Sequence, residues 1–217
     1  MFNLDGKNAV VTGASGGIGR AIAETLHASG ATVTISGTRM EPLEELALSL
    51  GQRVHILACD LSNGIEVENL SKGAQEKMGS VDILVNNAGI SMRASFTDLD
   101  TSVLKKVMDV NFWGTVYCTR YAISSILKNK GSIVGVSSIA GYKGLPGRTG
   151  YSSSKFAMHG FLEALRIENM KYGLHVLIAC PGFTASNIRN TALAADGSSQ
   201  GETPRDEQKM MQPEEVA

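Results

Sequence analysis

The stretch GSIVGVSSIAGYKGLPGRTGYSSSK, residues 131–155, decides how this chain folds. Residues 133–136 (IVGV) are a short apolar run with a β-branched bias, the pattern of a buried strand. The run stops at Ser137-Ser138, and a loop punctuated by Gly141, Gly144, Pro146, Gly147 and Gly150 follows. From Tyr151 the apolar positions recur at helical spacing as far as Leu165. Tyr151 and Lys155 lie one helical turn apart and share a face. Ser138 ends the strand, at the sheet edge where parallel α/β proteins place ligands.

A hydroxyl, a phenol and an ammonium at one mouth suit proton transfer to or from a carbonyl or alcohol oxygen. A free tyrosine titrates near pH ~10, too high for exchange at neutral pH. A nearby lysine cation favours phenolate and lowers that value by roughly 1–3 units. Ser138 would hold the reacting oxygen by a hydrogen bond. Singly, each residue has an ordinary role: a core tyrosine, a strand-ending serine, a solvated lysine. Their joint spacing points to catalysis. Tyr142 also follows Ser138, but no lysine lies one turn beyond it.

Toward the N-terminus, residues 7–12 (KNAVVT) read as the first strand. Gly13-Ala14-Ser15-Gly16-Gly17-Ile18-Gly19 follows, then helical spacing over residues 20–29. A strand, a glycine-rich turn and a helix start make an anion site, because the backbone can approach a pyrophosphate and the helix dipole favours its charge. The plainer alternative is a turn that needs glycines for its own bend. Residues 32–36 (TVTIS) are the second strand. An NAD site commonly places an acid there for the ribose 2′-hydroxyl, whereas arginine suits a 2′-phosphate. Here Gly37-Thr38-Arg39 follow with no acid before Glu41, which favours NADP(H) over NAD(H). Arg39 could also simply end the strand in solvent.

Residues 42–50 read as a helix, 53–58 as a strand ending at Asp60-Leu61, and 65–78 as a helix. Residues 82–85 are a strand ending in Asn86-Asn87-Ala88-Gly89, and 104–127 one long helix. Asn111 lies inside that helix, where asparagine is unfavourable. It is either a polar kink or a group turned toward the mouth. Residues 174–179 are the sixth strand, ending at Pro181-Gly182. The alternation predicts an α/β class, Rossmann-like, doubly wound parallel sheet of six strands with helices on both faces. It places Gly13, Arg39, Asp60, Asn86, Ser138 and Pro181 at the carboxyl ends of the strands. Residues 1–190 form one nucleotide-binding catalytic domain. Residues 191–217 turn polar and read as a substrate lid or mobile tail, with Met210-Met211 as an apolar hook and the start of a helix at 213–217.

The chain has 217 residues, 43% of them hydrophobic and 19% charged, with a net charge of -1. That suits a globular domain and gives no general pull toward nucleic acid or an anionic membrane. No apolar run approaches the ~18 residues a membrane span needs. The first strand begins too early for a signal peptide, so the cytoplasm is expected. Cys59, Cys118 and Cys180 are odd in number and widely spaced, which suits reduced thiols. His27, His55, His159 and His175 show no metal-ligand spacing, and no catalytic metal is expected.

TGxxxGxG over residues 12–19, NNAG over 86–89, Asn111, Ser138, the YxxxK pair Tyr151 and Lys155, and Pro181-Gly182 together carry a resemblance. By them the chain resembles the short-chain dehydrogenase/reductase family over nearly its whole length. The resemblance implies that Tyr151 is the general acid/base and that Ser138 orients the substrate oxygen. Lys155 would hold the nicotinamide ribose and lower the phenol's pKa, and Asn111 would help hold a water-linked proton path. Asp60 and Leu61 would touch adenine. Further cofactor contacts are implied for Gly13, Ser15, Gly16, Gly17, Ile18, Gly19, Thr38, Arg39, Asn86, Ala88, Gly89, Pro181, Gly182, Thr184 and Ser186. Ser186 stands where a threonine is common.

Residues 1–89 look most like the 3-oxoacyl-[acyl-carrier-protein] reductase branch, through TGASGGIGRAIAETL and SGTR. From Ile90 the chain looks more like other branches with carbonyl substrates, as a natural or recombined mosaic would. The family pattern runs on through one more helix and strand, so the last helix and strand are expected to be missing, either by truncation or because the sheet lacks the edge strand that relatives use for assembly. The implied partner is a small carbonyl or alcohol substrate, such as an acyl thioester, ketone, steroid or sugar alcohol. Residues 91–96, 141–148 and 183–211 would line its pocket. A homodimer or homotetramer through the helices at 104–127 and 151–171 is implied as well. The competing reading is a nucleotide-binding regulator or scaffold on the same fold, without chemistry. An epimerase or dehydratase would need a sugar-nucleotide domain for which the chain has no room.

Overall fold

The computed structural model describes residues 3–201 and 209–217. Its sheet has the strands β1 (Asn8–Thr12), β2 (Thr32–Ser36), β3 (Val54–Ile56), β4 (Ile83–Asn86), β5 (Ser132–Val136) and β6 (His175–Ala179). All pairings are parallel, in the order β3-β2-β1-β4-β5-β6. The central strands are apolar throughout because helices cover both of their faces. Successive residues still part to opposite sides. Val10, Leu84 and Ile133 turn to the face covered by α3 (Gly64–Met78), α5 (Gly114–Lys128) and α6 (Thr149–Asn169). Val11, Val33, Ile35 and Val85 turn to the face covered by α1 (Gly17–Ala28) and α2 (Met40–Leu50).

Gly135, in β5, sets how closely α6 can lie. A Cβ there would come within 2.3 Å of Leu162 Cδ1. The missing side chain therefore lets the helix that carries Tyr151 and Lys155 settle directly on the strand that ends before Ser138.

The single helix expected over 104–127 is instead built in three parts. They are α4 (Thr101–Met108), a π-helical turn (Asp109–Trp113) and α5. The backbone stays helical throughout, with φ -60° and ψ -46° at Asp109 and φ -56° and ψ -45° at Gly114. A π turn takes one extra residue into the helix and rotates the facing of the turns beyond it. Asn111 lies in this turn and is fully buried.

After β6 the chain folds back over the sheet's carboxyl edge. Leu193 bridges to Met92 and to Ser199, and Thr184 bridges to Met211. The Met211 amide donates to the Phe183 carbonyl at 3.1 Å, and its own carbonyl accepts from Ala185 at 2.8 Å. The expected hook at Met210-Met211 thus holds by backbone pairing, while the Met211 side chain stays 40% exposed. The expected mobile stretch falls in part on residues 202–208, outside the described residues. The helix expected at 213–217 is α7 (Pro213–Val216), which packs on α1. Among the described residues no strand pairs with the outer edge of β6, where Leu177 is half-exposed. Among them no helix is long and apolar enough to cross a membrane.

Candidate active site

The carboxyl ends of β1 and β4 are tied together by side chains. Thr12 Oγ1 donates to the Val85 carbonyl at 3.2 Å and accepts from the amides of Asn87 and Ala88, both at 3.1 Å. Asn87 Nδ2 donates to the carbonyls of Thr12 at 2.9 Å and Gly13 at 3.2 Å. This clamp leaves no room for a side chain at Gly13 or Gly19. A Cβ on Gly13 would sit 2.7 Å from Ala88 Cα, and one on Gly19 would sit 2.3 Å from the Gly13 carbonyl oxygen. Gly13 also has φ +66°, a region L side chains rarely adopt. Helix α1 starts there with no side-chain cap and no acid in its first turn. Its free amide groups and positive dipole end favour an anion.

A cleft of about 1170 Å³ opens over this turn and runs along the strand ends. Gly13, Ser15, Gly16, Gly17, Ile18 and Gly19 line it, with Thr38 and Arg39 after β2 and Asp60 and Leu61 after β3. Ala88, Gly89, Pro181, Gly182, Thr184 and Ser186 line it too, and so do Ser138, Tyr151 and Lys155. Two of the residues expected there stand elsewhere. Asn86 does not reach the cleft: it is 2% exposed, and its Nδ2 donates to Thr119 Oγ1 on α5 at 3.3 Å. Alternation explains this, because Asn86 shares the α5 face of β4 with Leu84, whereas Asn87 beyond the strand forms the clamp. Asn111 lies behind the cleft wall and acts through the backbone. Its Oδ1 accepts from the Ile90 amide at 2.8 Å, and its Nδ2 donates to the Ile90 carbonyl at 2.9 Å and to Ser154 Oγ at 3.0 Å.

At the other end of the cleft, Ser138 Oγ caps a short 3-10 turn by accepting from the Ala140 amide at 3.2 Å. The Ser138 hydroxyl lies near enough to the Tyr151 phenol to favour its ionised form. Burial pushes the Tyr151 phenol up from its usual pKa, against the lowering effects of the Ser138 hydroxyl and the Arg148 guanidinium. Lys155 is 3% exposed and donates Nζ to the Val136 carbonyl at 2.9 Å. Burial lowers its pKa to about 8. Its Nζ lies 5.8 Å from the centre of the Tyr151 ring. The expected direct acidification of the phenol by this lysine is therefore not what the structure displays. Lys155 is engaged by a strand carbonyl, and the cation that acts on the phenol is Arg148. No spacing rule pointed to Arg148, although it stands one helical turn before Tyr151 and Ser91 accepts a bond from it.

Gly89 lets the two halves meet, since a Cβ there would be 3.2 Å from Asn111 Oδ1 and 3.6 Å from Lys155 Nζ. Tyr142 takes no part in the cleft: it is 69% exposed, and its ring packs edge-on against His159 at 4.7 Å. Among the described residues no His, Cys, Asp and Glu side chains group as a metal site would require.

The residues present fit a dinucleotide. The glycine turn and bare α1 terminus form a cradle for a diphosphate. Ser36 Oγ, buried in the cleft wall at the end of β2, has no hydrogen-bond partner among the described residues. The cleft continues from that point to Ser138, Tyr151 and Lys155.

Comparison with known proteins agrees. The short chain dehydrogenase family pattern matches residues 7–196. Nodulation protein G of Rhizobium sp. (strain N33) is 42% identical over 187 residues, covering 86% of this chain and 76% of that protein. Dehydrogenase/reductase SDR family member 7B of Xenopus tropicalis is 37% identical over 221 residues, covering 96% and 71%. A 3-ketodihydrosphingosine reductase of Bos taurus is 40% identical over 199 residues, covering 85% and 60%. These matches run across position 90, so both halves of the chain fall within one family. Their names differ, and none singles out an acyl-carrier-protein reductase. Among solved structures, an alcohol dehydrogenase from Thermococcus sibiricus complexed with 5-hydroxy-NADP superposes with a TM-score of 0.85 at 26% identity, covering 97% of this chain and 86% of that one. A short chain dehydrogenase/reductase from Burkholderia phymatum in complex with NAD gives 0.84 at 28% identity, covering 95% and 75%. One carries an NADP analogue and the other NAD, so the likeness does not choose between them.

Proposed function

This chain belongs to the short chain dehydrogenase family, and from that premise we propose that it uses NADP(H) to interconvert a carbonyl and an alcohol. As a family member it is an oxidoreductase with a nucleotide-binding fold. One observation carries the proposal: Ser138, Tyr151 and Lys155, from a strand end and one helix, converge at the end of a cleft that begins at a diphosphate cradle. The glycine turn and the α1 terminus hold the diphosphate, with Asp60 and Leu61 at the adenine and Lys155 at the nicotinamide ribose. Arg39 and Thr38, with no acid before Glu41, support the 2′-phosphate. The nicotinamide, when bound, supplies or takes the hydride.

The remaining work falls to the chain. Ser138 holds the substrate oxygen at the position where charge develops. Tyr151 donates its proton to that oxygen in reduction and recovers it in oxidation. Lys155, with a pKa of about 8, is still mainly protonated at pH 7 and serves as the cation beside the nicotinamide ribose, while Arg148 favours negative charge on the phenol. Asn111 fixes the backbone at Ile90, which forms part of the wall facing the reacting carbon. Holding the partners in this alignment supplies much of the rate.

Residues 1–190 are taken as the catalytic domain and residues 191–217 as its lid. A 3-oxoacyl thioester is the first substrate to test, and self-association as a dimer or tetramer belongs to the same reading. Absorbance at the reduced-nicotinamide band with a panel of ketones tests it. NADPH consumption that depends on a ketone is the expected result. NADPH binding without turnover of any ketone would favour a scaffold instead.

A further inference from the structure

Tyr151, Lys155 and His159 stand one helical turn apart on α6 and share a face. Each meets one of the three successive residues where β5 runs out. Lys155 Nζ donates to the Val136 carbonyl at 2.9 Å, and the Ser138 hydroxyl lies near the Tyr151 phenol. Between them, Ser137 Oγ and His159 Nε2 share a hydrogen bond of 2.6 Å. Proton exchange at Tyr151 accounts for the first two contacts but not for the third.

The third contact is closely built. Ser137 and His159 are both buried. A Cβ on Gly141 would come within 2.7 Å of Ser137 Oγ and 2.6 Å of His159 Nε2, so a glycine is needed for the short turn at Ile139–Gly141 to close over the pair. The Tyr142 ring covers the imidazole edge-on, and Cys180 Sγ lies 3.6 Å from Nε2. Burial lowers the His159 pKa against the opposing effect of Glu163, so the imidazole is neutral at pH 7 and adds no second cation beside Lys155.

The place of Ser137 in the chain gives this bond its use. Pairing of β5 with β6 ends at Val136, opposite Ala179, and the Ser137 amide makes one more bond, to the Ala179 carbonyl at 2.7 Å. Ser138 follows in extended backbone, one residue beyond that support. Its distance from Tyr151 therefore depends on how the strand end is fastened to α6. We propose that His159 is a positioning residue of the carbonyl–alcohol reaction: by holding Ser137, it sets Ser138 where it and Tyr151 reach the same substrate oxygen. The proposal rests on the reading of the cleft as a carbonyl–alcohol site. Ser137 lines that cleft and His159 does not, so His159 acts through its neighbour. A displacement of about 1 Å at such a site costs on the order of a hundredfold in rate.

The test measures kcat, KM, NADPH affinity and melting temperature on the full chain with NADPH and the best ketone. His159→Leu keeps apolar packing and removes the bond. Ser137→Ala removes it from the other side with a smaller change of shape. Each lowers kcat by about tenfold or more and leaves KM and NADPH affinity within about threefold. His159→Gln, a neutral amide that reaches the place of Nε2, restores most of kcat. The double variant is no slower than the slower single one, because both remove one contact. A role in stability alone would instead lower the melting temperature and leave kcat of the folded protein unchanged. The proposal is overturned by kcat within about twofold of the unaltered protein for either single variant, measured well below its melting temperature. It is equally overturned by a loss that His159→Gln does not recover, or by additive losses in the double variant. Should His159→Leu not fold, Ser137→Ala and His159→Gln decide by the same criteria. Ketone reduction that survives these changes defeats this proposal alone. An unaltered protein that reduces no ketone defeats the catalytic reading beneath it.

Discussion

Lys155 is buried under the carboxyl edge of the sheet, with its Nζ bonded to the Val136 carbonyl. Helical spacing placed it beside Tyr151, but spacing carries no information on burial, and burial sets its charge. Its pKa falls from 10.5 to about 8, so between those values the unfolded chain binds a proton that the folded chain does not. Stability therefore rises with pH across that window, and below about pH 8 the full cost of burying the cation is present. The melting temperature of the cofactor-free protein is expected to climb between pH 8 and 9.5 relative to Lys155→Met, and parallel curves would contradict this. The Tyr151 phenol is shifted upward, so its opposite effect begins only above its ordinary value near pH 10. Arg39 was legible as a cofactor determinant from the residues around it. Arg39→Gln should weaken NADPH binding by about tenfold or more while leaving NADH binding nearly unchanged. An equal loss for both would remove the 2′-phosphate role. Asn86 and Asn87 were both visible in the sequence, and strand alternation from Leu84 would have selected Asn87 for the clamp.

The glycine turn and the broken helix show what can be read at the level of elements. A strand, a glycine cluster and helical spacing announce the turn, yet do not say which glycines are obligatory. Gly19 has the Gly13 carbonyl oxygen and Asn87 Nδ2 both 2.3 Å from its ideal Cβ, whereas Gly16 has nothing within 4 Å. Gly19→Ala should cost roughly 1–3 kcal/mol or more through overpacking, lowering the melting temperature by several degrees. Gly16→Ala should leave the melting temperature within a degree or so, since its extended backbone suits any residue. Equal effects of the two would mean that the clamp is not rigid. The π turn at Asp109–Trp113 had no legible signal beyond Asn111 itself. Apolar periodicity over the region fits an ordinary helix, and only the packing of Asn111 against Ile90 and Ser154 shows why an extra residue is held there.

For the molecule as a whole, alternating strands and helices determined the sheet, and the carboxyl-edge rule put most of the cleft residues on one side of it. The substrate end was the least legible, because Arg93, Arg148 and Arg189 lie far apart in sequence and line one cleft only in the fold. Cofactor and substrate ends share one cleft that spans the sheet edge, so ligand binding should stabilise the whole chain. NADPH at 100 times its dissociation constant should add about 2.7 kcal/mol and raise the melting temperature by roughly 5–10 °C. The central claim is that this cleft brings Tyr151 to a carbonyl oxygen as its proton donor. Its most direct test is Tyr151→Phe, measured for turnover on the best ketone and for NADPH affinity in parallel. Turnover should fall by about 10²–10⁴ while NADPH affinity changes by less than about threefold. Turnover equal to that of the unaltered protein would contradict the account.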